Sequence, residues 1–257
     1  MVLYKYRDFK EGYHLRLLYH QELYFSDLSK MNDPFEGILP IQDISKLSDD
    51  EILDANVMLQ KQKNKNWSDE TDKMFRNAID TNAIKKRHQN AEGRKLMQAR
   101  ITQLLYNNFG IVCLSCDPLN YLMWSHYANS HSGFCIGFNV EKLLNSVKPC
   151  GVLPVNYTEE KPVFKIGDDP LKYSQKYLGT KGRNWEYEQE FRFVKLDVIN
   201  NSIQFDIKVI DEIYLGHKTT KKNEQEVIKF YSKENPFCKI YKVKLSETRY
   251  ELERIPV

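Results

Sequence analysis

The stretch Trp185-Glu186-Tyr187-Glu188-Gln189-Glu190-Phe191-Arg192-Phe193-Val194 spaces three acids two residues apart. Alternate side chains of a strand point to one side, so a strand here puts Trp185, Tyr187, Phe191 and Phe193 on one face with Gln189. Glu186, Glu188, Glu190 and Arg192 take the other. Neighbouring carboxylates in such a row lie about 7 Å apart. Their repulsion is about 0.6 kcal/mol per pair in water and about 2.4 at an effective dielectric of 20. Stability alone gives little reason to stack them. The row is either a solvated edge strand, a set of acids neutralised by basic partners, or the lining of a site where carboxylates act on a substrate. Arg192 is placed to pair with Glu190.

Three further segments carry side chains fit for chemistry. In Ser29-Lys30-Met31-Asn32-Asp33-Pro34-Phe35-Glu36, Asn and Asp before Pro make a turn whose side chains bond following amides. That corner either plugs Phe35 into the core or presents Asn32 or Asp33 to a ligand, with Glu36 close by. In Leu122-Met123-Trp124-Ser125-His126-Tyr127-Ala128-Asn129-Ser130-His131-Ser132-Gly133, the residues Trp124, Tyr127, Ala128 and His131 form one helical stripe. Gly133 is placed to stop the helix. His126 and His131 do not share a face as an i, i+4 pair would, which disfavours joint metal ligation. Tyr and Trp offer flat walls for stacking a base or nicotinamide, and Ser125 and the histidines offer donors. In Tyr4-Lys5-Tyr6-Arg7, Arg7 can pair with a surface acid or hold a phosphate or carboxylate bidentately.

The elements that must position these side chains follow from periodicity. Strands are predicted at 3–7, 22–26, 110–115, 133–139, 151–157, 187–197, 207–215 and 238–245. Helices are predicted at 12–20, 119–129, 170–178 and 219–233. Residues 45–109 are polar and poor in Gly and Pro, with apolar residues from Leu47 to Leu105 at loosely helical spacing. They read as a helical insertion in a single α+β domain spanning 1–257, built on one mixed, largely antiparallel central sheet.

Composition narrows the function classes. A net charge of +3 does not require a nucleic-acid or membrane partner, and aromatic residues at 12% argue against disorder. The lysine clusters, Lys61, Lys63 and Lys65, then Lys85-Lys86-Arg87, then Lys218, Lys221 and Lys222, read as solvated faces. No apolar run approaches the roughly 20 residues of a membrane span, and the opening residues lack a signal-peptide pattern. Five cysteines make no disulfide framework, so a reduced, cytoplasmic protein is expected. Cys113-x-x-Cys116 has no second pair at zinc-ribbon spacing, and no metal ligand set is predicted.

The segments Leu3–Arg7, Glu22-Leu23-Tyr24-Phe25-Ser26, Asn32–Glu36, Met123–Ala128 with His131 and Gly133, and Trp185–Arg192 closely resemble, in order, a widespread bacterial family, domain of unknown function family 2971. The helical insertion falls outside the resemblance. A second resemblance is to ADP-ribosyltransferase domains. It rests on a basic residue on the first strand, an aromatic-Ser strand about twenty residues later, and a late Glu-x-Glu leading into an apolar strand.

That resemblance implies NAD as cofactor. Arg7 would hold its phosphate or ribose, Ser26 would buttress the nicotinamide pocket, Glu190 would be the catalytic acid and Glu188 would engage the acceptor. Trp124, Ser125, His126, Tyr127 and His131 have no counterpart there and are candidates for the stacking wall, while Arg192 beside Glu190 departs from the pattern. The resemblance points to bacterial defence or toxin biology and leaves the acceptor open between protein and nucleic acid.

Two other readings stand beside it. One is a nuclease or other hydrolase gathering Asp33, Glu36, Glu188, Glu190 and His126 about a divalent metal. The other is a non-catalytic domain binding a nucleotide-like ligand. On the transferase reading, Glu190→Gln removes activity and leaves the fold intact. Unfolding of that variant would instead mark a buried pair with Arg192.

Overall fold

The computed structural model describes residues 1–64, 66–149, 151–168 and 173–257. In chain order come β1 (Val2–Arg7), α1 (Gly12–His20) and β2 (Glu22–Phe25). Four helices follow, α2 (Asp49–Lys63), α3 (Asp69–Ala78), α4 (Thr81–Gln89) and α5 (Ala91–Asn108). Then come β3 (Phe109–Ser115), α6 (Tyr121–Tyr127), β4 (Phe134–Asn139), α7 (Val140–Val147), β5 (Gly151–Pro154) and β6 (Asn156–Thr158). Next are α8 (Ser174–Leu178), β7 (Thr180–Gly182) and β8 (Glu190–Leu196). The last are β9 (Asn201–Gln204), β10 (Ile210–Leu215), α9 (Lys221–Glu234), β11 (Lys239–Leu245) and β12 (Leu252–Pro256).

Eight strands form one sheet in the order β12-β11-β10-β4-β1-β3-β8-β5. Its β10–β11 pair is parallel and its other pairs are antiparallel. The fold is α+β with a mixed, mostly antiparallel sheet, as the pattern of strands and helices predicts. The period of two sorts side chains onto its two faces. Leu3, Val112, Leu114, Phe134, Ile136, Phe138 and Phe193 pack on one side with Leu17 and Leu18 of α1 and Val227 and Tyr231 of α9. Tyr4, Tyr6, Cys135 and Tyr214 pack with Met123 and Trp124 of α6 on the other.

The polar segment before β3 becomes helical because each helix opens on a capping side chain. Ser48, Ser68, Asp80 and Asn90 accept from the backbone N–H two or three residues on, and Ser48 with Glu51 completes a capping box. Ile101 and Leu105 of α5 tie this segment to Ile111 and Val194 of the sheet. Lys65 of the first lysine cluster and residues 169–172 of the predicted helix 170–178 lie outside the described residues.

Four predictions are corrected. Residues 185–189 are not strand: Arg183–Glu188 form a 3₁₀ helix, Gln189 is left-handed at φ 45°, and the strand starts only at Glu190. The turn breaks up the like-charged row. Glu186 goes to solvent, whereas Glu188 and Glu190 fold onto one shared cation, Lys181. The stripe from Trp124 to His131 also fails, because α6 ends at Tyr127 and Asn129, Ser130 and His131 take φ of 45°, 51° and 70°. Gly133 does not stop a helix. A Cβ there would lie 2.2 Å from the Arg7 carbonyl, so glycine lets this loop press against the end of β1. Finally, Phe35 is not plugged into the core and stays 65% exposed.

Trp124 is fully buried, its Nε1 donates to the Pro118 carbonyl at 2.9 Å, and its ring meets Tyr6 edge-on at 5.3 Å. Trp124→Ala is expected to lose about 3–5 kcal/mol in urea denaturation. A variant as stable as the parent protein overturns this core assignment.

Candidate functional site

β1 pairs with β4 along its whole length but meets β3 at one register, Tyr4 opposite Ser115. Further along, the β3 edge is taken by Ser26, whose N–H donates to Ile111 O at 3.0 Å and whose carbonyl accepts from Ile111 N at 2.8 Å. Between these points the two strands part. Every second residue of an antiparallel strand turns its backbone groups to the same neighbour, so Cys113, like Ile111, faces the gap. Its carbonyl accepts from Lys5 Nζ at 2.8 Å, satisfying an acceptor that a continuous ladder would have paired. A cavity of about 220 Å³ fills the fork. Tyr4 to Arg7 line one side and Cys113 to Ser115 the other, with Ser26, Asn32, Tyr127, Lys181, Glu188 and Glu190 around them.

Behind the fork runs a buried chain of alternating charge. Arg192, 0% exposed, donates through Nε to Glu190 Oε1 at 2.9 Å and through Nη2 to Glu190 Oε2 at 3.2 Å. Its Nη1 and Nη2 reach Glu36 at 2.6 and 3.1 Å, and Nη1 also donates to Leu178 O at 2.7 Å. These five hydrogen bonds match the five donors of a guanidinium. Lys181 Nζ then bridges Glu190 Oε2 at 3.2 Å and Glu188 Oε2 at 2.5 Å. The other Glu188 oxygen accepts from the Tyr127 hydroxyl, which in turn accepts from Asn32 Nδ2.

The two carboxylates are driven in opposite directions. Burial raises Glu190, but Arg192 and Lys181 outweigh it and hold it at about 2. For Glu188, burial outweighs Lys181 and Tyr127, and its pKa rises. Burial opposes the Lys181 charge, yet Glu190 and Glu188 hold it above its ordinary value. Glu190 is a structural counter-ion here, whereas burial works against the ionised form of Glu188.

A second hollow of about 650 Å³ adjoins the first through Lys181, which lines both. Phe35, Trp185, Tyr187 and His126 supply its aromatic surface, with Asp33 and Glu36 at one end. Lys161 lies over the Phe35 ring at 4.5 Å and Lys181 over Trp185 at 4.9 Å. His126 Nδ1 and the Tyr187 hydroxyl are 2.9 Å apart.

The structure thus brings Arg7, Ser26, Asn32, Tyr127, Glu188 and Glu190 to one cavity, and Asp33, Glu36 and His126 to its neighbour. Arg192 stands behind as a fully buried ion-pair partner. Trp124 is core, in correction of its assignment to a binding wall. Ser125 Oγ donates to Tyr121 O at 2.8 Å, so the 3.0 Å contact with His131 Nε2 uses a proton from the imidazole. That pair is therefore no activated nucleophile, and neither residue lines the two hollows. Among the described residues, no group of three or more His, Cys, Asp or Glu side chains is placed to hold a metal ion.

Sequence reasoning missed Lys5 and Lys181. Lys5 carried a readable signal, a charge in the middle of a strand between two core tyrosines. Lys181 carried none.

Residues 123–193 match the family described as Protein of unknown function (DUF2971). No curated protein and no solved structure matches the chain. The matched DUF2971 segment holds Tyr127, Lys181, Glu188, Glu190 and Arg192, while Lys5, Arg7, Ser26 and Glu36 come from outside it.

Glu190→Gln is expected to destabilise by about 3–5 kcal/mol, because it leaves Arg192 buried with one carboxylate fewer. The folded pKa of about 2 lies below the ordinary 4.5. The stabilisation is therefore complete above pH 4.5 and drains away as pH falls toward 2. Urea midpoints of the parent and the variant should differ most at neutral pH and converge on acidification. A constant gap overturns the assignment.

Proposed function

We propose that this protein is an ADP-ribosyltransferase-like enzyme that uses NAD to modify a macromolecular or small-molecule acceptor. One observation carries the reading: the first-strand Arg7, Ser26 and the late acid Glu188 line a single fork cavity that opens beside an aromatic hollow. Arg7 suits an anionic group. Its Nη1 donates to Tyr6 O at 3.1 Å, and no carboxylate pairs with it among the described residues. Arg7 would hold a cofactor phosphate, and Trp185, Tyr187 and Phe35 would stack the pyridine ring.

Breaking the bond between nicotinamide and ribose builds positive charge on the ribose. Glu188, ionised and fixed between Lys181 and Tyr127, would stabilise that charge. Tyr127 and Asn32 set the carboxylate's orientation. Arg192 and Glu190 act from behind by fixing Lys181. Because burial raises the Glu188 pKa, the active ionised form is gained as pH rises through it. The occupied oxygens of Glu36, Glu188 and Glu190 favour this role over a metal-centred hydrolase. The protein partners on both Glu188 oxygens also suit a binding domain without turnover.

Incubation with NAD labelled in its ADP-ribose part, together with bacterial extract, should transfer label to an acceptor. Glu188→Gln should abolish transfer while thermal stability stays close to that of the parent. Thermal stabilisation by NAD without transfer or nicotinamide release would support the binding domain and overturn catalysis.

A further inference from the structure

The fork cavity holds one reactive group for which dinucleotide chemistry has no use, the amine of Lys5. Lys5 sits in mid-strand at 9% exposure, and its Nζ has a backbone carbonyl, Cys113 O, as its hydrogen-bond partner. The two acids facing the cavity are already taken by Lys181 and Arg192. An ammonium without a counter-ion is costly to bury, whereas a neutral amine there needs no carboxylate. Beside it on the strand, Arg7 is a fixed cation. The remaining surface is rich in hydroxyl and amide groups, those of Tyr24, Ser26, Ser115, Asn32 and Tyr127.

We propose that Lys5 is an amine nucleophile that forms an imine with a small phosphorylated aldose, whose phosphate is held by Arg7. The Nζ lone pair adds to the aldehyde carbon, the carbonyl oxygen takes a proton, and Nζ loses one, giving a carbinolamine. The carbinolamine hydroxyl then takes a proton from solvent and leaves as water. A C=N bond replaces C=O, one water is released, and nothing is oxidised or reduced. Hydrolysis reverses the step.

The charges around Lys5 agree with this role. Arg7 lies on its own strand, Lys30 lies beyond β2 and Lys181 on β7, while Glu188 and Glu190 stand opposite. Burial first, and then Arg7, bring Lys5 down to about 7, so a large fraction is neutral at physiological pH. The proposal goes beyond NAD-dependent transfer and does not need it.

The test uses the full chain with ribose 5-phosphate and sodium borohydride near neutral pH, read by intact mass and peptide mapping. A single reduced adduct on Lys5 is expected. It should be suppressed by excess inorganic phosphate and weakened when ribose replaces the phosphate ester. Lys5→Met should lose the adduct, and Arg7→Gln should lose the preference for the phosphorylated sugar. Trapping should rise with pH around 7 rather than around the ordinary lysine value of 10.5. Adducts scattered over exposed lysines with Lys5 unmodified overturn the proposal, as does equal trapping of ribose. If Lys5→Met does not fold, mapping on the unaltered chain still decides. The trapping contains no dinucleotide and the transfer assay no borohydride, so each reading fails alone.

Discussion

A guanidinium with no access to water must have every donor matched, and Arg192 meets that condition by drawing three elements together. Glu36 comes from the turn after β2, Leu178 from α8 and Glu190 from its own strand. Losing any one of them would leave a buried charge partly unmatched, at a cost far above that of a surface pair. The position of Glu190 follows from Arg192, that of Lys181 from Glu190, and that of Glu188 from Lys181. The buried ion pair therefore sets the geometry of Glu188 at the fork cavity.

The second constraint is the fork. Two strands of a continuous ladder leave no room between them, about 4.8 Å apart with their amides paired. Here β1 leaves β3 after a single register, and Ser26 closes the far end. The gap is lined by backbone edges as well as side chains, which explains why four consecutive residues of β1 reach it. Gly133 holds the outer end of β1 in place by allowing backbone contact with Arg7. Site and sheet are thus one object. The cavity exists because a strand pairing is missing, and Lys5 spends one hydrogen bond on the carbonyl left open.

The acids at positions 186, 188 and 190 show both the reach of pattern reading and its failure. Their spacing correctly marked a place where charge needs compensation, and Arg192 was legible as a partner of Glu190. The inference of an extended strand failed because the compensating charge is Lys181, and a 3₁₀ turn over Arg183–Glu188 brings Glu188 onto the same ammonium as Glu190. In the stripe from Trp124 to His131, a helical period was real as far as Tyr127. Left-handed backbone at Asn129, Ser130 and His131 then sent His131 elsewhere, and single-residue φ values leave no periodic trace. β9, β12 and α7 escaped notice for a simpler reason, being short or weakly apolar.

What the chain determines on its own is local. Alternating apolar residues mark most strands of the central sheet, and Ser, Asp and Asn caps open the helices of the polar segment. The types of residue available for anion binding and acid chemistry can also be read off directly. What only the tertiary structure decided is which of them meet. Glu36 and Arg192 are 156 positions apart, and Lys5 and Cys113 are 108 apart. Such pairings depend on strand order and on where a ladder breaks, and both are set by the packing of the whole sheet rather than by any one segment.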